Sequence, residues 1–115
     1  DEINIENGWA TAFDSGLQAI SELGGAKKGD RTMLDALFPV NDVLQENKNK
    51  QISTKELMKM VKDASRNGSE STKSMKAKKG RSAYLGENKI EGIEDPGAYA
   101  ISLIFEEIYN QCISE

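Results

Sequence analysis

The densest run of side chains that could do chemistry lies between Lys73 and Arg81. Lys73, Lys76, Lys78, Lys79 and Arg81 follow one another there with no acidic residue among them. With five positive charges in this island, a chain of net charge −4 leaves −9 on its remainder. A local positive field of that kind suits a compact anion better than a long polyanion, because the acidic remainder would repel a nucleic-acid backbone. A solvated basic turn is the plainer reading of the same residues. Arg81 is the sharpest of them, since a planar guanidinium can hold a phosphate at two points. Gly80 and Gly86 bracket Arg81-Ser82-Ala83-Tyr84-Leu85, and glycine lets a backbone come close to a ligand. Further on, Asp95-Pro96-Gly97-Ala98 opens a helix with small residues. The free amides and partial positive charge of a helix N-terminus accept anions or the polar edge of a nucleotide.

One string mimics a phosphate-binding loop. Gly24-Gly25-Ala26-Lys27-Lys28-Gly29 has the right glycine spacing, with Thr32 slightly downstream. Asp30, however, stands where the phosphate-binding lysine would be, and the string follows a helical segment where a P-loop follows a strand, so a Walker A site is rejected. The chain contains no histidine, which excludes Ser-His and Cys-His nucleophile pairs and imidazole bases. Its single cysteine, Cys112, excludes an intrachain disulfide and reads as a packed thiol.

The elements that must position these residues are helices. Trp9, Phe13, Leu17, Ile20 and Leu23 form one apolar stripe, with Asn7 as the expected N-cap and Gly24-Gly25 as the stop. Met33, Leu34, Leu37, Phe38, Val40, Val43 and Leu44 follow Asp30, a second expected cap, and Pro39 should kink that helix. Gln45 to Gln51 reads as a loop. Ser53 and Glu56 have capping-box spacing and start a third helix, whose face carries Leu57, Met60, Val61 and Ala64. Asn67-Gly68 leaves open whether that segment is one bent helix or two short ones. Asp95-Pro96, a cap followed by proline at the first helical position, starts the last helix, with Ile101, Ile104, Phe105, Ile108 and Cys112 on its buried face. Trp9, the methionines and Tyr109 are expected in the core or at its edge. No stretch alternates with period two, so an all-α fold is expected. With 115 residues, one domain at most, 37% hydrophobic and 30% charged, and no run of roughly 20 apolar residues, a soluble cytoplasmic protein without membrane or nucleic-acid partners is expected.

Three strings occur in order: Gly24-x4-Gly29-Asp30-Arg31-Thr32-Met33-Leu34-Asp35; Met75-x-Ala77-x-x-Gly80-Arg81-Ser82-Ala83-Tyr84-Leu85-Gly86-Glu87; and Asp95-Pro96-Gly97-Ala98. Together they resemble the nucleotide-binding L subunit, or L domain, of dihydroxyacetone kinases. That resemblance implies an antiparallel helical barrel of eight helices, about four of which fall within residues 1–115. It implies ADP or ATP as the bound cofactor and transfer of a phosphoryl group to dihydroxyacetone held on a separate K subunit or domain. In one branch of the family a phosphotransferase-system protein rephosphorylates a tightly held ADP. By resemblance, Gly24 and Met33 lie against the base, Arg81 against the phosphates, and Asp95, Pro96 and Gly97 near the base or ribose, while Thr32 and Gly80 shape the pocket.

The family's acidic magnesium-binding motif and its phosphate-covering glycine-rich loop have no counterpart in the 115 residues. The resemblance therefore implies the C-terminal half of an L domain, inactive alone, whose helices seek the N-terminal half or a second copy of the chain. The alternatives are a helical half-domain acting as an interaction module, or an L-type domain of a kinase for another small substrate.

Overall fold

The computed structural model describes residues 5–75 and 92–114. Within them the chain is helical, with four α-helices and no strand: α1 (Ile5–Gly24), α2 (Leu34–Asn47), α3 (Thr54–Ser71) and α4 (Pro96–Ile113), and a 3-10 turn (Thr72–Ser74) closing α3. This is the all-α class expected from the periodicity.

Helix ends follow local chemistry. The stop after α1 is Gly25, whose φ of +73° is a conformation that favours glycine, and its amide bonds to the Ser21 carbonyl. The hydroxyl of Ser53 accepts from the Glu56 amide at 3.1 Å and starts α3. Ser53→Ala is expected to cost about 1 kcal/mol, read as a lower urea midpoint. Asp95 caps α4 by accepting the Ala98 amide at 3.0 Å, with Pro96 at the first position.

Three boundaries differ from expectation. Helix α1 begins at Ile5, so Asn7 is inside it and not its cap. Asp30 does not cap α2; its carboxylate accepts the Lys27 amide at 2.9 Å and shapes the loop before the helix. Gln45 belongs to α2, which runs on to Asn47, because its side-chain amide donates to the Ala10 carbonyl at 2.8 Å and ties α2 to α1. Asn41 adds a second tie, donating to Asp14 at 2.9 Å.

Helix α3 passes through Asn67-Gly68 without a break, and α2 occupies the space a side chain at Gly68 would need. A Cβ there would overlap the carbonyl oxygen of Asp35 and sit 2.9 Å from the Ala36 Cα. Asp35 is the residue four before Pro39, so proline has removed the amide that would have bonded to this carbonyl. The Gly68 backbone lies in the gap so left. Helix α2 meanwhile continues through Pro39 as one element.

Among the described residues, Ala10, Leu17, Leu34, Ala36, Val40, Val61 and Ala98 are the buried apolar ones. Around them α3 presents Ser65, Gly68, Ser69 and Thr72, all buried, a stripe of small residues that lets α2 and α4 approach closely. The hydroxyls cost little there because each is bonded: Ser65 to the Lys62 carbonyl, Ser69 to the Glu94 carboxylate, and Thr72 to the Ser69 carbonyl.

Several expected core residues lie outside. Trp9 is 68% exposed and Leu23 90%, while Ile20, Met33, Met60, Ile104 and Ile108 are also exposed. The reason is shape: the principal extents are 52 × 31 × 17 Å, a flat outline that leaves much of each helix at the surface. In this flat layer α2 packs on α1, α3 and α4, and α3 packs on α4.

On the surface of α3, Arg66 pairs with Glu70 at 3.0 Å and Lys73 pairs with the same carboxylate at 2.9 Å. The hydrogen bond from Lys73 holds the Glu70 carboxyl below its usual range against an opposing effect of desolvation, with the charges of Lys73 and Arg66 acting the same way as the hydrogen bond. A lowered folded-state value contributes stability above the unfolded value and loses it as pH falls through the folded one. Glu70→Gln is therefore expected to differ from the parent at neutral pH and to converge with it in acid, when urea midpoints are compared at both. High salt should shrink the difference, since the pair is exposed.

Candidate functional site

The loop from Gly25 to Met33 is folded by one buried carboxylate. Asp35 accepts the Gly29 amide at 2.6 Å through one oxygen and the Thr32 amide at 3.0 Å through the other. Thr32 contributes its own hydroxyl, which accepts the Leu34 amide at 3.1 Å. Gly29, at φ +93°, gives the turn its left-handed residue. At the other end of the loop, the Ser21 hydroxyl donates to the Ala26 carbonyl at 2.6 Å.

This loop meets the start of α4. A Cβ on Gly97 would lie 3.2 Å from the Met33 Cβ and 3.2 Å from an Asp95 carboxylate oxygen, so glycine permits the contact. Arg31 forms the polar link. Its guanidinium donates to the Ile93 carbonyl at 2.5 Å and lies 3.6 Å from the Asp95 carboxylate, with Arg31 only 1% exposed. The 72–75 turn supports the same junction, since the Asp95 amide donates to the Thr72 hydroxyl at 2.8 Å and the Gly92 amide to the Lys73 carbonyl at 3.0 Å.

The donors of α4's first turn can be counted. Asp95's amide is taken by Thr72, Pro96 has none, and Ala98's is taken by the Asp95 carboxylate. Among the described residues, the Gly97 amide is the donor of this turn left open, and it lies beside the half-exposed Met33. An open helix amide close to where an apolar side chain leaves the backbone can receive a flat heteroaromatic edge or a small polar group.

Of the residues singled out from sequence, Thr32, Met33, Asp95, Pro96 and Gly97 therefore come together at one end of the helical layer. Gly24 is the exposed last residue of α1, at the opposite end of the same loop. Gly80 and Arg81, with most of the basic island, lie outside the described residues. Lys73 is described, and its ammonium is engaged with Glu70. Arg31 and Asp35 were not among the expected site residues, although they organise the junction. A groove of about 290 Å3 between α3 and α4 is lined by Arg66, Tyr99 and Leu103 among others. At it Arg66 stands over the Tyr99 ring at 5.5 Å, and Lys62 stands over the Tyr109 ring at 4.6 Å.

Comparison with known proteins decides the family. The DAK2 domain model matches residues 1–110. The chain belongs to the DAK2 domain family. A probable dihydroxyacetone kinase of Dictyostelium discoideum is 46% identical, over 87% of this chain and 16% of that protein. Human triokinase/FMN cyclase is 35% identical, over 87% of this chain and 17% of that protein. The PEP-dependent dihydroxyacetone kinase, ADP-binding subunit DhaL of Escherichia coli K12 is 32% identical, over 82% of this chain and 44% of that subunit. The DAK2 chain thus spans about a sixth of the first two relatives and less than half of the third. Among its described residues no helix is long and apolar enough to cross a membrane.

Proposed function

We propose that residues 1–115 are the C-terminal half of an L-type DAK2 domain and contribute much of an ADP/ATP site to a cytoplasmic kinase that phosphorylates dihydroxyacetone on a K subunit or domain. The observation that carries this reading is the junction at Met33 and Gly97. It brings two separated family strings to one end of the fold and leaves one helix amide open beside an apolar side chain. In this reading Gly24 and Met33 cover the base, Asp95, Pro96 and Gly97 receive its polar edge or the ribose, and Thr32 and Gly80 shape the walls. Arg81 holds the phosphates. Phosphoryl transfer is mostly positioning and charge stabilisation, so a bidentate guanidinium at the phosphates is the contribution expected of this half.

Among the described residues no group of three or more carboxylate, histidine or cysteine side chains could hold a metal ion. By the family resemblance, the magnesium ligands belong to the N-terminal half. The exposed apolar faces of α1 and α4, including Trp9, Leu23, Ile104 and Ile108, support a partner that completes the layer, and the N-terminal half is the occupant proposed. A phosphotransferase-system protein as phosphoryl donor belongs to the same reading.

The test is ADP binding by calorimetry, with the chain alone and with the N-terminal half supplied. Binding only in the second case is expected; a folded assembly with no ADP affinity would favour an interaction module instead. Within the assembly, Arg81→Ala should weaken ADP binding by about tenfold to a hundredfold, the worth of a charge-assisted hydrogen bond. Unchanged affinity would remove Arg81 from the site.

A further inference from the structure

We propose that Arg31 is a positioning residue for the nucleotide site, a buried strut that sets the distance between Met33 and the open amide of Gly97. The inference rests on the nucleotide-binding reading above. Three observations carry it. Arg31 has φ +63°, the one described non-glycine residue in the left-handed region, a conformation that costs an ordinary side chain energy and persists only when its surroundings impose it. Its side chain is almost wholly buried, and it crosses the junction to residues 93 and 95, sixty-odd positions away, holding the segment that leads into α4 by a carbonyl and a carboxylate. The guanidinium also keeps Nε and Nη1 buried without a hydrogen-bond partner. A strut chosen for stability alone would not leave these donors unsatisfied or need a strained backbone, because an apolar side chain of similar volume is often as good in a buried position. What a guanidinium supplies and an apolar side chain does not is a hydrogen bond to the Ile93 carbonyl and a positive charge facing the carboxylate that caps α4.

Asp95 connects this contact to the site, since the carboxylate that faces Arg31 through one oxygen takes the Ala98 amide through the other. Shifting it turns the first helical turn and with it the neighbouring Gly97 amide. Met33 is two residues from Arg31 on the same loop, so one side chain fixes both walls.

The experiment uses Arg31→Asn, which tolerates the left-handed conformation and so isolates the loss of the side chain, and Arg31→Lys, which keeps the charge but not the fork. Val61→Ala, at a buried α3 position away from the junction, serves as the stability control. ADP affinity is measured by calorimetry on the assembly with the N-terminal half, well below each variant's melting temperature. Arg31→Asn should lose about tenfold or more, as misplaced contact groups do, and Arg31→Lys should recover part of it. Val61→Ala should bind as the parent does even where its melting temperature falls as far. Amide exchange of the isolated chain gives a second readout: the Ala98 amide should exchange faster in Arg31→Asn relative to amides of α2 and α3. Equal affinity in all four proteins, or exchange accelerated uniformly across the chain, would overturn the positioning role. Absence of ADP binding by the parent assembly would instead remove the nucleotide reading, and this inference with it.

Discussion

Gly68→Ala is expected to destabilise the chain by about 3 kcal/mol, at the upper end of what overpacking costs, because among the described glycines it is the one whose added Cβ would overlap backbone atoms. The new Cβ has nowhere to go. It would overlap the Asp35 carbonyl oxygen and press on the Ala36 Cα, and both are backbone atoms that no rotamer change can move. Relief requires α2 and α3 to separate, which uncovers Ala36, Val40 and Val61, three of the seven buried apolar residues among those described. Because alanine is otherwise the better helix former, by about 1 kcal/mol over glycine, a loss of stability here isolates the tertiary clash from the intrinsic preference. Urea unfolding monitored by far-ultraviolet circular dichroism should show a lower midpoint at an unchanged slope. A gain in stability would mean that the close crossing of α2 and α3 does not exist.

Asp95→Ala should cost about 3–5 kcal/mol, the range found when one partner of a buried ion pair is removed. Two contributions combine. The Ala98 amide loses its cap, worth about 1 kcal/mol, and the Arg31 guanidinium is left buried opposite an apolar methyl group. Asp95→Asn separates them, since asparagine also caps helices but carries no charge; its cost should fall below that of alanine by roughly the capping contribution. Adding Arg31→Asn to Asp95→Ala removes the stranded charge, so the double variant should be more stable than the sum of the single losses implies. A double-mutant cycle in urea measures that coupling, and strict additivity would show that the 3.6 Å contact contributes nothing.

Helix ends were the most legible part of the fold. Ser53 and Asp95-Pro96 start helices where their side chains predict, because capping is a contact between residues two or three apart and needs no tertiary context. Asn7 and Asp30 were misassigned for the complementary reason. A residue of capping type is also at home inside a helix or in a turn, and neighbours decide which: Asp30 finds the Lys27 amide before any helical one. Gln45 looked like loop because its polarity hides the bond that its amide makes to Ala10 on another helix.

Burial was legible only in part. In α3, Leu57, Met60, Val61 and Ala64 suggest one buried face, yet the wall of the core runs through Val61, Ser65, Gly68, Ser69 and Thr72. Hydrophobic periodicity cannot identify that stripe, since its value lies in small volume and its hydroxyls find partners within their own helix or on Glu94. The candidate site shows the same division. Met33, Asp95 and Gly97 were reached through family strings; Arg31 stands in the same first string, but its partners Ile93 and Asp95 are brought near only by the fold.

From the sequence by itself came the helical class, the principal starts and stops, and membership in a set of strings that the DAK2 domain family shares. These rest on contacts within a few residues or on residue identity, both written directly in the chain. Tertiary structure decided that residues 25–33 and 93–97 form one junction, that a left-handed arginine spans it, and that Trp9, Leu23, Ile104 and Ile108 face outward from a layer 17 Å thick. The physical reason is that a helix's sequence records which face is apolar, but the other elements determine which faces are covered.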